Sequence, residues 1–322
     1  MSPTEPGRTP AGATCYFPAR VPLPEFVAPM LATLVDEAFD SEEHLFEIKW
    51  DGIRALTFVE GRDYRALTRN RQDLKPSYPE LAPLARLPDG TLLDGELVVF
   101  EGDRPSFSRS LERMQAKTKL RAEALARTSP AQYVVFDLLY SRGEALLKRP
   151  LRERRARLRE LLDELAEPRI VFSDGVIGEG HAFFAEVRAR ALEGLVAKEL
   201  DGAYLPGKRT RSWLKVKTTS TIPCAILGYV TDERGDLTSL VVALEEDGRL
   251  VSAGRVGSGL SDELRARLSE LCRARPRATP FVPCNEDAAW VEPGLFCTVS
   301  YLERTENGLR APVFVALLEQ PE

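Results

Sequence analysis

Lys49 closes an apolar run, Leu45-Phe46-Glu47-Ile48, and opens a turn, Trp50-Asp51-Gly52. A lysine held where a strand gives way to a bend can act as an amine nucleophile once it is neutral. Free lysine has a pKa of about 10.4, so at neutral pH such chemistry needs nearby cations or a metal to favour the amine. K-x-D-G alone has little specificity. It gains weight from charged residues set into apolar strands further along the chain. Leu92-Leu93-Asp94-Gly95-Glu96-Leu97-Val98 sets carboxylates inside a second apolar run, and Val134-Val135-Phe136-Asp137-Leu138 does so in a third. Glu193-Gly194-Leu195-Val196-Ala197-Lys198 carries an acid and a base at opposite ends of a short strand. Trp213-Leu214-Lys215-Val216-Lys217 alternates strictly, which puts both lysines on one face and Leu214 and Val216 on the other. A charge inside an apolar strand is costly unless it is paired or functional.

As an ordered set these residues resemble the motifs of the covalent nucleotidyltransferase superfamily: ATP-dependent DNA ligases, RNA ligases and mRNA capping enzymes. Lys49–Arg54 resembles motif I, and Thr68-Arg69-Asn70 motif Ia. Asp94-Gly95-Glu96 matches motif III, Phe136-Asp137 motif IIIa, Glu193–Lys198 motif IV and Trp213–Lys217 motif V. Tyr204-Leu205-Pro206-Gly207-Lys208-Arg209 and the late Gly308-Leu309-Arg310-Ala311-Pro312 are most similar to the ligase module of bacterial end-joining ligases.

The resemblance implies a DNA ligase that seals nicks or broken ends in repair. Lys49 takes AMP from ATP, AMP moves to a DNA 5′-phosphate, and a 3′-hydroxyl displaces it. It implies that Asp51 orients the turn, that Glu47 reads the adenine amino group and that Phe136 stacks on the base. Arg54 and Arg69 bind ribose or the phosphate of the nick. Lys198, Lys215 and Lys217 line the α-phosphate and stabilise charge in the transition state. Mg²⁺, or Mn²⁺ in its place, falls to Glu96 and Glu193, with Glu96 alternatively holding the ribose. The expected partners are nicked or broken double-stranded DNA, a Ku-like end binder and a polymerase or primase in trans, with the ligase itself a monomer. An RNA ligase or capping enzyme shares the lysyl-nucleotide chemistry. A ligase-derived DNA-end-binding protein is the alternative outside catalysis.

Two departures stand out. Leu318, Gln320 and Pro321 occupy the places where motif VI carries arginine, aspartate and lysine, and Arg71 stands where motif Ia usually has glycine. Because motif VI orients pyrophosphate, its loss predicts slow charging by ATP with sealing of already adenylylated DNA retained.

Composition agrees with this reading. The net charge of −5 is mildly unfavourable to nucleic acid, but no acidic residue falls between Gly202 and Thr231, where Lys208, Arg209, Arg211, Lys215 and Lys217 cluster. A second base-heavy stretch runs from Arg104 to Arg127. Five scattered cysteines without C-x-x-C spacing argue against a zinc site or a disulfide framework and for a reducing bacterial cytoplasm, near the nucleoid. Two histidines exclude a histidine-rich metal cluster. No apolar run approaches the roughly 20 residues of a membrane helix.

The elements that must position this chemistry are short strands mixed with a few helices, an α+β arrangement. Strands are expected at Leu45–Lys49, Arg54–Val59, Thr91–Phe100, Gln132–Asp137, Leu195–Lys198 and Ser212–Lys217. Helices are expected at Ser110–Arg127, at Leu151–Leu165 and at His181–Leu192. The middle helix reads as amphipathic, with Arg152-Glu153-Arg154-Arg155 on its solvated face. Residues 1–21 read as a disordered lead-in, 22–219 as an adenylylation domain of antiparallel sheets, and 222–322 as a second domain. Lys217–Pro223 reads as the hinge. Five strands around one helix, Asp262–Ala274, fit an OB-fold barrel, which the resemblance also implies.

Overall fold

The computed structural model describes residues 22–305 and 308–318. The lead-in 1–21 and the motif VI positions Gln320 and Pro321 lie outside the described residues. Two compact units emerge. One is built on the chain up to Ala185 together with Leu195–Lys215, the other on Glu186–Gly194 together with the chain from Val216 onward. Only Thr218 and Thr219 separate the strand Arg209–Lys217 from Ser220–Thr231.

The first unit rests on two sheets. In one, the strand order is Leu31–Leu34, Arg209–Lys217, Gly194–Glu199, Ser41–Ile48 and Gly175–Gly178. The other runs Asp63–Leu67, Ile53–Glu60, Thr91–Glu101, Ala131–Ser141 and Glu144–Ala145, with Ile170–Phe172 parallel to Ala131–Ser141. Every strand read from the sequence is present, most of them a few residues longer. Thr91–Glu101 and Ala131–Ser141 are almost continuously buried, because both faces of their sheet are covered. Alternation then sorts side chains in Ile53–Glu60. Ala55 and Val59 join the cluster under the helix Leu151–Leu165, whereas Leu56 and Phe58 join Phe136, Tyr204 and Trp213 on the opposite face.

Three helix readings need correction. The expected helix Ser110–Arg127 is two helices, Phe107–Met114 and Lys119–Thr128. The break is stabilised by Thr118, whose hydroxyl accepts from the Arg121 amide and caps the second helix. The helix expected to run to Leu192 ends at Ala189, and Ala191 turns left-handed with φ 51°. Leu151–Leu165 has the expected bounds, but its arginines are not all solvated. Arg154 is fully buried and forks onto Asp137 at 2.7 and 2.8 Å, itself fully buried, while also donating to the carbonyls of Arg149 and Gly202. The carboxylate in the third apolar run is therefore a buried ion-pair partner.

The second unit is a barrel-like sheet. Ser220–Thr231, Leu237–Glu246 and Arg249–Val256 form a meander, Phe296–Tyr301 pairs with Ser220–Thr231, and Val313–Leu318 pairs with Phe296–Tyr301. The five strands and the helix Asp262–Arg273 correspond to the sequence reading. The short strands Pro276–Arg277 and Ala289–Val291 extend the sheet, since Ala289 and Trp290 register with Tyr229 and Gly228. Leu268 and Cys272 of the helix close the core over Val242, Val256 and Val299.

Removing one partner of the Arg154–Asp137 pair leaves a buried charge unpaired. Arg154→Met is expected to cost about 3–5 kcal/mol, and Arg154→Met with Asp137→Leu markedly less. Urea denaturation of the two variants checks this; equal midpoints would contradict it.

Candidate active site

The strand Ser41–Ile48 ends one residue before Lys49, and Ile53–Glu60 begins four residues after it, so the turn carrying Lys49 joins the two sheets. Gly52 makes this possible. A Cβ there would fall 2.2 Å from the carbonyl oxygen of Leu97 and 3.1 Å from Glu96 Cγ. The turn thus lies directly on the strand that bears Glu96.

A cavity of about 600 Å³ opens beside this turn. Of the residues singled out from the sequence, Glu47, Lys49, Arg54, Arg69, Glu96, Phe136, Lys198 and Lys215 line it. Asp51, Lys217 and Glu193 do not. Lys217 lies two residues, about 6–7 Å, beyond Lys215 along its strand. It falls in the second unit with Glu193, and their charged atoms are 3.8 Å apart. The alternation itself holds: Leu214 and Val216 are buried, and Lys215 and Lys217 are half-buried.

Three groups are committed to partners the sequence does not reveal. Glu47 is 1% exposed and accepts from both Lys198 Nζ and Arg155 Nη1. Its carboxylate is thus neutralised by two buried cations while it also lines the cavity. Burial draws the Lys198 pKa below the ordinary lysine value, although Glu47 opposes the shift. Arg54 donates Nε and Nη2 to the two oxygens of Asp94, each at 2.6 Å, and Nη2 lies 3.4 Å from the Met30 carbonyl. Burial disfavours this guanidinium, yet Asp94 holds its pKa above the usual range. The Tyr204 hydroxyl donates to Asp94 at 2.7 Å and accepts from the Met30 amide at 2.9 Å.

Phe136 is 7% exposed, with Arg54 4.5 Å and Lys198 4.2 Å from its ring centroid. A base stacking on this ring competes with those cations. Arg69 is exposed in the turn Thr68–Gln72, closed by the Arg71 amide on the Thr68 carbonyl at 2.9 Å. Arg71, at the position where glycine is usual, has φ 63° and lies 4.8 Å over the Phe26 ring. The left-handed conformation costs a non-glycine residue about 1–2 kcal/mol, part of which the cation–π contact offsets. Leu318 ends the last described strand and is 38% exposed.

Six cations line the cavity (Lys49, Arg54, Arg69, Lys198, Arg209 and Lys215) against two carboxylates, Glu47 and Glu96. The surplus suits a polyanion. Among the described residues no group of three acidic, histidine or cysteine side chains could hold a metal by itself. A magnesium ion carried by phosphate oxygens needs only one or two protein carboxylates, and Glu96 fits that donor chemistry.

Comparison with known proteins agrees with the geometry. The profile of the ATP dependent DNA ligase domain matches residues 29–217, and that of the ATP dependent DNA ligase C-terminal region matches 233–320. The chain belongs to the ATP-dependent DNA ligases. It is 35% identical over 316 residues to the multifunctional non-homologous end joining protein LigD of Pseudomonas aeruginosa, covering 93% of this chain and 36% of that one. It thus spans about a third of that relative's length. Identity to the SPbeta prophage-derived DNA ligase-like protein LigB of Bacillus subtilis is 31%, over 90% of this chain and 98% of that one. Among solved structures, the mycobacterial DNA ligase D complexed with ATP and MES superposes with a TM-score of 0.54 at 31% identity, covering 92% and 96% of the two chains. The fold is the α+β adenylation domain followed by a mostly β, OB-like domain.

The ligase's Gly52 offers a direct check on this site. Gly52→Ala drives a methyl group into backbone, so the variant is expected to lose about 1–3 kcal/mol of stability and to bind ATP more weakly. Calorimetric titration with ATP and a urea denaturation curve measure both; wild-type values in both would show that the turn does not need this contact.

Proposed function

We propose that Lys49 is the residue this ligase charges with AMP. The observation that carries the reading is the cation-lined cavity at a strand end, with Lys49 and Lys215 on its wall beside Phe136 and Trp213. The Lys49 amine attacks the α-phosphorus of ATP; the P–N bond forms, the bond to the bridging oxygen breaks, and pyrophosphate leaves with that electron pair. Lys198, Lys215 and Arg54 offset charge on the α-phosphate oxygens. Glu96 would hold Mg²⁺ or Mn²⁺, which when bound would supply Lewis-acid stabilisation of the phosphates. AMP then passes to a DNA 5′-phosphate, and a 3′-hydroxyl attacks that phosphate to seal the strand and release AMP. Asp51 orients the turn. Glu193 and Lys217 retain the metal and phosphate roles as proposals that the family resemblance supports.

Sealing of broken ends, with a Ku-like end binder and a polymerase or primase supplied separately, is the physiological role we infer from the similarity to end-joining ligases. No helix of the described residues is long and apolar enough to cross a membrane, and we place the monomeric enzyme with bacterial DNA in the cytoplasm.

Nicked DNA provides the test. Wild-type protein is expected to seal a nick with ATP and not with GTP, and Lys49→Ala is expected to seal only a nick that already carries 5′-AMP. Faster sealing of the adenylylated nick by the wild type would support a first step slowed by the altered motif VI. Sealing of plain nicks by Lys49→Ala would refute the proposal, and failure on every substrate would favour the DNA-end-binding reading.

A further inference from the structure

Arg155 reaches Glu47, which lines the cavity, from the helix Leu151–Leu165, outside every motif that pointed to the ligase. The residue is 8% exposed, and its guanidinium is shared among three acceptors. Nη1 donates to the Glu47 carboxylate and lies 3.3 Å from the Phe136 carbonyl oxygen, and Nη2 donates to the Ser173 carbonyl at 2.7 Å. The Phe172 ring lies 4.4 Å beneath it. Ser173 passes the connection on, because its hydroxyl accepts from Trp50 Nε1 at 3.1 Å. The Trp50 indole is further held edge-on to Phe100, with ring centroids 6.3 Å apart.

These bonds converge on one short segment. Glu47 lies two residues before Lys49, and Trp50 is the residue after it. One arm of the guanidinium therefore grips the strand entering the turn, and the other, through Ser173, grips the residue leaving it. Ser173 itself lies between Ile170–Phe172, which pairs in the second sheet, and Gly175–Gly178, which pairs with Ser41–Ile48 in the first. The fork thus ties the two sheets together at the point where the Lys49 turn crosses between them.

We propose that Arg155 is a positioning residue for Lys49: it clamps both flanks of the turn so that the amine is held in line with the α-phosphate. The inference rests on the reading of Lys49 as the AMP acceptor. A lysine at 155 keeps the charge but lacks the planar fork needed to reach Glu47 and the Ser173 carbonyl together. A misplacement of the order of 1 Å at a nucleophile can cost as much as a hundredfold in rate. The clamp matters only while Lys49 is attacking, so it has a distinctive kinetic signature.

Single-turnover charging with ATP and sealing of a pre-adenylylated nick, measured on Arg155→Lys, Ser173→Ala and Lys49→Ala, test the clamp. Arg155→Lys is expected to lower the maximal charging rate about tenfold or more with little change in the KM for ATP. Ser173→Ala should lower it less, and both should seal the adenylylated nick at the wild-type rate. Ser173→Ala removes only a hydroxyl, so it decides the matter if Arg155→Lys fails to fold. Equal losses in charging and sealing would reduce Arg155 to a structural role, and wild-type charging in both variants would overturn the proposal. AMP charging that persists in Lys49→Ala would instead remove the reading on which the inference rests, a separate and recognisable result.

Discussion

Glu47 is a carboxylate with 1% exposure, and its neutralisation by Lys198 and Arg155 is the interaction on which the rest of the site depends. A buried ionised carboxylate without partners costs several kcal/mol, so the strand Ser41–Ile48 can carry one only if cations are delivered to it from elsewhere. Lys198 comes from the neighbouring strand Gly194–Glu199, where it registers opposite Leu45. Arg155 comes from a helix on the far side of the second sheet's core. The requirement to neutralise one acid therefore brings together a strand, a helix and the turn that bears Lys49.

The same device recurs. Asp94 is neutralised by Arg54, diagonally across two paired strands, and Asp137 by Arg154. Each pair takes one charge from the apolar interior of a strand and one from another residue's long, forked side chain. Such pairs contribute little net stability against well-packed apolar residues. What they supply is geometry: the cavity keeps fixed positive charge on its wall without the walls having to move when phosphate enters. Glu47 with its two cations carries a net positive charge, which adds to that of Lys49, Lys215 and Arg69. A polyanion in the cavity would therefore meet a field of the right sign, and the rings of Phe136 and Trp213 lie against Arg54 and Lys198.

Much of the fold is legible in the sequence because strand alternation and apolar runs report burial directly. Lys215 with Leu214 and Val216 is one case, and the five strands and helix of the second unit are another. The Arg152–Arg155 stretch misleads for a physical reason. Helical periodicity marks which leucines face the core, but an arginine at the edge of that face reads the same whether its head reaches water or a buried acid. Asp137 and Glu47, out of place inside apolar strands, are the clues that such a partner has to exist. Tyr204 stands out only as part of a motif, and nothing in its spacing announces a hydroxyl bonded to Asp94. The break between Met114 and Lys119 hides for the opposite reason, since Thr118 is an ordinary residue in a polar, base-rich stretch until its cap is seen.

All of these contacts bear on one lysine at a strand end, through which the ligase's chemistry is held to pass. Peptide mapping by tandem mass spectrometry, after incubation with ATP and Mg²⁺ and no DNA, puts that lysine to the test. The expected result is an AMP adduct on the peptide containing Lys49, bonded to its side-chain nitrogen. An adduct on Lys198, Lys215 or any other residue, with Lys49 unmodified, would contradict it.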